Sequence, residues 1–185
     1  TRTFSGTPAN ADVGSVTITV TAPDAGGLSI SDSSVLTVGN ANDAPTVASA
    51  ITDQSATEDQ PFSFQFAAGT FADVDAGDTL SYTTGTLPAW LTFDAATRTF
   101  SGTPANGDVG SVTITVTATD AGGLSISDSF VLTVGNANDA PTLVTAIADQ
   151  TATEDQPFTF QFGAGTFTDI DAGDTLSYTT GTLPA

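Results

Sequence analysis

Cysteine, histidine and lysine are absent from the 185 residues, and arginine occurs only as Arg2 and Arg98. Without cysteine no disulfide braces the fold, and neither a thiolate metal site nor a thiol nucleophile can form. Without histidine the commonest general base and the commonest transition-metal ligand are missing. Two cations cannot grip a phosphate backbone or an anionic bilayer, so nucleic acid and charged membrane surfaces are poor partners. No run approaches the roughly 20 apolar residues of a spanning helix, so direct membrane insertion is not expected, and nothing resembles a signal peptide. Against these absences stand 21 acidic residues and a net charge of −19. Such a polyanion repels itself unless something positive is bound, and a metal ion is the natural candidate.

The chain then repeats itself. Thr1-Arg-Thr-Phe-Ser-Gly-Thr-Pro8 returns at Thr97–Pro104, and Asn42-Asp-Ala-Pro-Thr46 returns at Asn138–Thr142, about 96 residues on, with about a dozen mostly conservative differences. So long and uniform a repeat suits an array of like domains and argues against an enzyme, whose active site needs residues found at one place only. The first residues already read as the interior of a repeat, so a longer array is expected.

Strand signals dominate and helix signals are missing. Val112-Thr-Ile-Thr-Val-Thr-Ala118 and Phe62-Ser-Phe-Gln-Phe66 alternate apolar and polar residues at period two. Ile126, Phe130, Leu132 and Val134 share one face, with Ser127, Ser129 and Thr133 on the other. Turn clusters such as Asp75-Ala-Gly-Asp78 and Asp120-Ala-Gly-Gly123 separate the runs. Six or seven short strands in about 96 residues predict an all-β protein of tandem Greek-key β-sandwiches. The polar segments Asn40–Thr46 and Asn136–Thr142, each with a proline, read as linkers. On that phase residues 43–138 are one complete repeat, 1–42 the C-terminal half of the one before, and 139–185 the N-terminal half of the one after. The two halves nearly complement each other, lacking only the equivalent of Trp90–Ala96. They are expected either to pair head to tail between chains or to be completed by further residues of the array.

Several motifs resemble those of cadherin repeats: Val116-Thr-Ala-Thr-Asp120, Asn136-Ala-Asn-Asp-Ala-Pro141, Asp73-Val-Asp75 and Glu58-Asp-Gln-Pro-Phe62. The stretch Leu87-Pro-Ala-Trp-Leu-Thr-Phe-Asp94, with Thr97–Pro104, is similar to the dystroglycan-type cadherin-like domains of large bacterial surface proteins. The residues suit such a reading by themselves. Ca²⁺ takes about six to eight oxygens at about 2.3–2.6 Å. Asp73 and Asp75 can aim two carboxylates at one point, and the linker adds Asn and Asp oxygens held by Pro141.

The resemblance implies Ca²⁺ at each junction. The first would draw on Asn40, Asn42, Asp43, Asp73, Asp75 and Asp120; the second on Glu58, Asn136, Asn138, Asp139, Asp169 and Asp171. Ala95-Ala-Thr-Arg98 stands where the cadherin pattern has acidic residues, which implies about one or two ions per junction, with affinity on the order of 10⁻⁴–10⁻³ M. Asp94, Asp108 and Asp128 are expected to serve turns instead, while Asp24, Asp78, Glu154 and Asp155 fall between the two readings. Trp90 is expected in the core in preference to a sugar-stacking surface. Ser34 replaces the ring of its counterpart Phe130, a change worth on the order of 3 kcal/mol if buried. The function this implies is a calcium-stiffened extender repeat of a secreted adhesin on a bacterial cell surface, supporting adhesion and biofilm. Its partners would be neighbouring repeats and, through the split halves, other copies. The alternative is a module that binds polysaccharide.

Overall fold

A computed structural model describes residues 2–182; Thr1 and residues 183–185 lie outside the described residues. In chain order the strands are β1 (Gly14–Pro23), β2 (Ser29–Val38), β3 (Thr46–Val47), β4 (Gln54–Thr57), β5 (Phe62–Gln65), β6 (Phe71–Ala72), β7 (Ser81–Thr84), β8 (Leu91–Asp94), β9 (Thr99–Gly102), β10 (Gly110–Thr119), β11 (Ser125–Gly135), β12 (Thr142–Leu143) and β13 (Phe167–Thr168). The helical content of the described residues is two short 3₁₀ turns, Asn10–Asp12 and Asn106–Asp108.

The alternating run at Val112–Ala118 becomes β10, and its register against β11 sets Val112 opposite Leu132 and Ile114 opposite Phe130. Because side chains alternate along a strand, this register sends Ile114, Val116, Phe130 and Leu132 inward. The opposite face carries hydroxyl pairs, Ser111–Thr133 at 2.9 Å, Thr115–Ser129 at 2.9 Å and Thr117–Ser127 at 2.8 Å. The hairpin is widened by β4, parallel to β11, and by β7 on the far side of β10, giving the order β4-β11-β10-β7. A second sheet, β5-β9-β8, supplies the facing layer. Between the two lies one core built from Phe66, Leu91, Phe100, Ile114, Phe130 and Leu132 with their neighbours. This is the all-β sandwich that the alternation predicts.

Aromatic rings fill the centre. Phe100 meets Phe93 at 4.6 Å and Phe130 at 5.6 Å between centroids, and Phe64 meets Phe130 at 5.5 Å. Trp90 is half-buried, packed against that core and edge-on to Phe62. Its carbonyl lies where a Cβ on Gly102 would sit, which is why that strand position is glycine.

The flanking copies reproduce part of this unit among the described residues. β1 and β2 form the same hairpin in the same register as β10 and β11, because both strands are present. The pair β12–β13 likewise reproduces β3–β6. The counterparts of β4, β5 and β7, at residues 150–153, 158–161 and 177–180, form no strand, although their sequences match almost residue for residue.

Two acidic residues expected in turns behave as such. Asp94 accepts the amides of Ala96 and Thr97 in the β8–β9 turn, and the Thr97 hydroxyl, followed by these two amides, holds its carboxyl below the usual range. Asp108 closes the 3₁₀ turn by accepting from the Ala105 amide at 2.9 Å. Asp128 departs from the expectation. It sits within β11 and takes the Ile51 amide at 2.7 Å, tying the chain before β4 to the sheet.

Candidate metal centre

After β6 the sequence Asp73-Val-Asp-Ala-Gly-Asp78 turns back on itself. The Asp75 amide donates to Asp73 Oδ1 at 2.9 Å and the Asp78 amide to the Asp75 carbonyl at 3.2 Å, an Asx-type turn that needs Gly77 at φ +94°. The turn gathers Asp73, Asp75 and Asp78 so that one carboxylate oxygen from each lies within 4.8 Å of the others. The linker docks onto this loop: the Asp43 amide donates to Asp75 Oδ2 at 2.8 Å, and Pro45 beside it is buried. From the opposite end of the sandwich sequence, Asp120 accepts the Asn42 carboxamide at 3.0 Å. A Cβ on Gly122 would overlap that carboxamide, so the Asp120-Ala-Gly-Gly123 turn is shaped to admit Asn42.

The second junction repeats the loop and shows the neighbouring repeat's contribution. The Asp171 amide donates to Asp169 Oδ1 at 3.0 Å, and the Asp139 amide to Asp171 Oδ2 at 2.7 Å. Asp169, Asp171 and Asp174 form one triad of oxygens within 4.8 Å, and Glu58, Asp139 and Asp171 form another. Glu58 is 0% exposed and accepts the Ala137 amide at 2.7 Å through Oε1. The Asn106 carboxamide crosses the linker to Asp171 Oδ1 at 3.1 Å.

The electrostatics leave these groups undercompensated. Burial, then the charges of Asp73, Asp120 and Asp75, push the Asp78 carboxyl up. Burial would also raise Asp120, but the Asn42 amide and the Leu124, Gly123 and Gly122 backbone amides outweigh it and hold that carboxyl down. Glu58 Oε2, Asp73 Oδ2, Asp75 Oδ1 and Asp78 Oδ2 are buried without a hydrogen-bond partner. Orphaned anionic oxygens are costly in a protein interior unless a cation faces them. Carboxylate, amide and carbonyl oxygens, with no nitrogen or sulfur donor, fit a hard divalent ion.

Of the residues expected as ligands, Asp73, Asp75, Asn42, Asp43 and Asp120 are thus drawn to the first loop, and Glu58, Asp139, Asp169 and Asp171 to the second. Asn40 stays exposed. Asn136 and Asn138 donate to the adjacent carbonyls of Ala137 and Asp139. Sequence reasoning left Asp78 undecided and passed over Asp174, its counterpart, although both close the triads. It also passed over Asn106 and its counterpart Asn10, which donates to Asp43 Oδ2 at 2.7 Å. Their recurrence after Pro8 and Pro104 was the available signal.

A family model described as "Putative Ig domain" matches residues 1–39, 44–135 and 140–185. The chain belongs to this family. Its three matched segments are separated by residues 40–43 and 136–139, the linker positions that meet the acidic loops. A curated relative, the serine-rich adhesin for platelets of Staphylococcus aureus (strain MRSA252), is 34% identical over 130 residues, which is 70% of this chain and 9% of that protein. The chain therefore spans less than a tenth of this relative's length. Among solved structures, the extracellular cadherin domains 1–4 of protocadherin gamma B7 align over 80% of this chain and 38% of theirs, with 24% identity and a TM-score of 0.55. The protocadherin gamma B4 extracellular domain aligns over 78% of this chain and 25% of its own, with 24% identity and a TM-score of 0.56. These likenesses are of fold: an Ig-like, cadherin-like β-sandwich repeat. Among the described residues no helix is long and apolar enough to cross a membrane.

Proposed function

We propose that this chain is a spacer segment of a secreted bacterial surface adhesin, in which Ca²⁺ at the linkers stiffens an array of sandwiches. The observation that carries the reading is the convergence of unpartnered, buried carboxylate oxygens where successive repeats meet. At the first junction Asp73, Asp75, Asp78 and Asp120, with the Asn42 carboxamide, would hold the ion; at the second, Glu58, Asp139, Asp169, Asp171 and Asp174. The bound ion supplies positive charge that cancels the mutual repulsion of these groups. The residues' own part is to hold the linker against the acidic loop through the Asp43 and Asp139 amides, so that ion binding and inter-repeat contact reinforce each other. A stiffened array of this kind would hold a terminal adhesive module away from the cell and serve adhesion and biofilm formation. The relative's name, an adhesin, supports the setting, and the recurrence of the same acidic loop in successive repeats argues against a catalytic role.

The test compares the melting temperature and the scattering-derived maximum dimension in 10 mM CaCl₂ and in chelator. At affinities of 10⁻⁴–10⁻³ M, each ion adds about 1.4–2.7 kcal/mol of stability by mass action. A higher melting temperature together with a longer, narrower distance distribution is expected. If neither quantity responds to calcium, the ion-stiffened spacer is wrong.

A further inference from the structure

The 3₁₀ turn Asn106–Asp108 carries the one Asn-Gly step of the sequence, Asn106-Gly107. The other asparagines, at 10, 40, 42, 136 and 138, are each followed by alanine or aspartate. Asparagine before glycine is a chemically fragile step, because no side chain keeps the next amide nitrogen away from the asparagine Cγ. Gly107 is exposed, a Cβ on it would meet nothing within 4 Å, and its amide has no hydrogen-bond partner among the described residues. What restrains the pair is the junction. The Asn106 carboxamide is half-buried and held by Asp171 Oδ1 of the next repeat at 3.1 Å. The helical ψ of the turn also holds the Asn106 Cβ out of plane with the Gly107 nitrogen, where a ring would have to close.

We propose that Asn106 is a self-modifying site: when the second junction opens, the Gly107 nitrogen closes on Asn106 Cγ, and the carboxylate finally formed keeps the junction open. The chemistry needs only water. The Gly107 amide nitrogen gives up its proton and bonds to Cγ, while the Cγ–Nδ2 bond breaks and ammonia leaves, carrying that proton. The product is a cyclic imide. Water then adds to either imide carbonyl, and the ring opens to aspartate or to isoaspartate. Overall one water is consumed and one ammonia released, with no change of oxidation state. An open groove of about 670 Å³, lined by Asn106, Gly107, Asp139 and Asp169 among others, brings solvent to the site.

The product inverts the contact that Asn106 makes. A donor 3.1 Å from Asp171 Oδ1 becomes an anion, and Asp139 and Asp169 line the same groove. Like charges at that separation repel, so the linker cannot redock as before. Isoaspartate also adds a methylene to the main chain, which breaks the 3₁₀ turn. The chain carries its own control. The turn Asn10–Asp12 has the same cap geometry, and Asn10 likewise donates across its linker, to Asp43 Oδ2 at 2.7 Å. Ala11 stands there in place of Gly107, so of the two junctions the second carries the reactive step.

The test incubates the 185-residue chain at pH 8 and 37 °C in chelator, so that its outcome is separate from that of the calcium reading, and follows each asparagine by peptide mass mapping. The mass gain of amide-to-acid conversion, with isoaspartate, should accumulate at Asn106 and not at Asn10. Gly107→Ala, which copies Ala11, should abolish it. Asp171→Ala should speed it at least about tenfold, the Boltzmann factor of one lost hydrogen bond to a charged group, because reaction from a transiently opened state follows the open population. An unchanged unfolding transition of the central sandwich checks that each variant folds. The converted fraction, separated by anion exchange on its extra negative charge, should give a broader scattering-derived distance distribution than the parent in the same buffer. An Asn106 that keeps its amide over weeks overturns the proposal, as does conversion that survives Gly107→Ala or ignores Asp171→Ala. So does a converted chain with the parent's distance distribution.

Discussion

The Asn106 carboxamide donates to Asp171 Oδ1 at 3.1 Å across the linker, so a side chain of one repeat directly steadies the acidic loop of the next. The 3₁₀ turn that presents Asn106 is itself pinned by Asp108. This neutral donor does in part what a cation would do in full, which makes it a probe of the junction without metal.

Asn106→Ala should loosen the second junction even in chelator. Asp171 is buried, and a hydrogen bond to a charged group contributes about 1.5–3 kcal/mol. Equilibrium denaturation should read that loss, and the calcium midpoint should weaken because Asp171 is then held by the Asp139 amide without Asn106.

Glu58→Gln separates charge from shape. Its carbonyl can still accept the Ala137 amide, while the new amide faces the carboxylates of Asp139 and Asp171. Stability in chelator should stay level or rise as like-charge repulsion falls, and part of the calcium-induced rise in melting temperature should vanish. Retention of the full calcium response would remove Glu58 from the site.

Asp78 gives a pH signature. Its carboxyl is raised above the ordinary 3.8, first by burial and then by Asp73, Asp120 and Asp75. In the window between 3.8 and the raised value the folded chain holds a proton that the unfolded chain has lost, so stability falls as pH rises through it. Asp78→Asn should therefore melt higher than the parent in chelator at neutral pH. That gain should shrink as pH is lowered through the window, and the calcium response should be smaller throughout. Asp120 acts oppositely, its contribution being present above the ordinary value and lost as pH falls through its lowered one.

Phe130→Ser imposes on the central sandwich the residue that Ser34 places in the first hairpin. Phe130 is buried among Phe64, Phe100 and Ile114's strand, so the loss should be about 3–5 kcal/mol in chemical denaturation. A loss below about 1 kcal/mol would mean the core closes over the gap.

The acidic site was legible only in part. Asp73, Asp75 and Glu58 declare themselves by residue type and by recurrence at the same repeat position. Asn106 does not, because an asparagine in a turn has a sufficient local explanation, and only the folded linker brings it within reach of Asp171. Asp128 was misread for the complementary reason. In sequence it sits among serines like a turn residue, yet the register with β10 sets it within a strand beside Val116, where it captures the Ile51 amide.

Period-two alternation was enough to dictate β-strands, and their hydrophobic faces were enough to dictate a sandwich, because which side chains leave water is written locally. Where a strand exists was not written locally. Phe62-Ser-Phe-Gln65 is β5, while its near-twin Phe158-Thr-Phe-Gln161 has no strand. A strand's hydrogen bonds are made to another segment, so the same residues form a strand or not according to whether such a segment pairs with them.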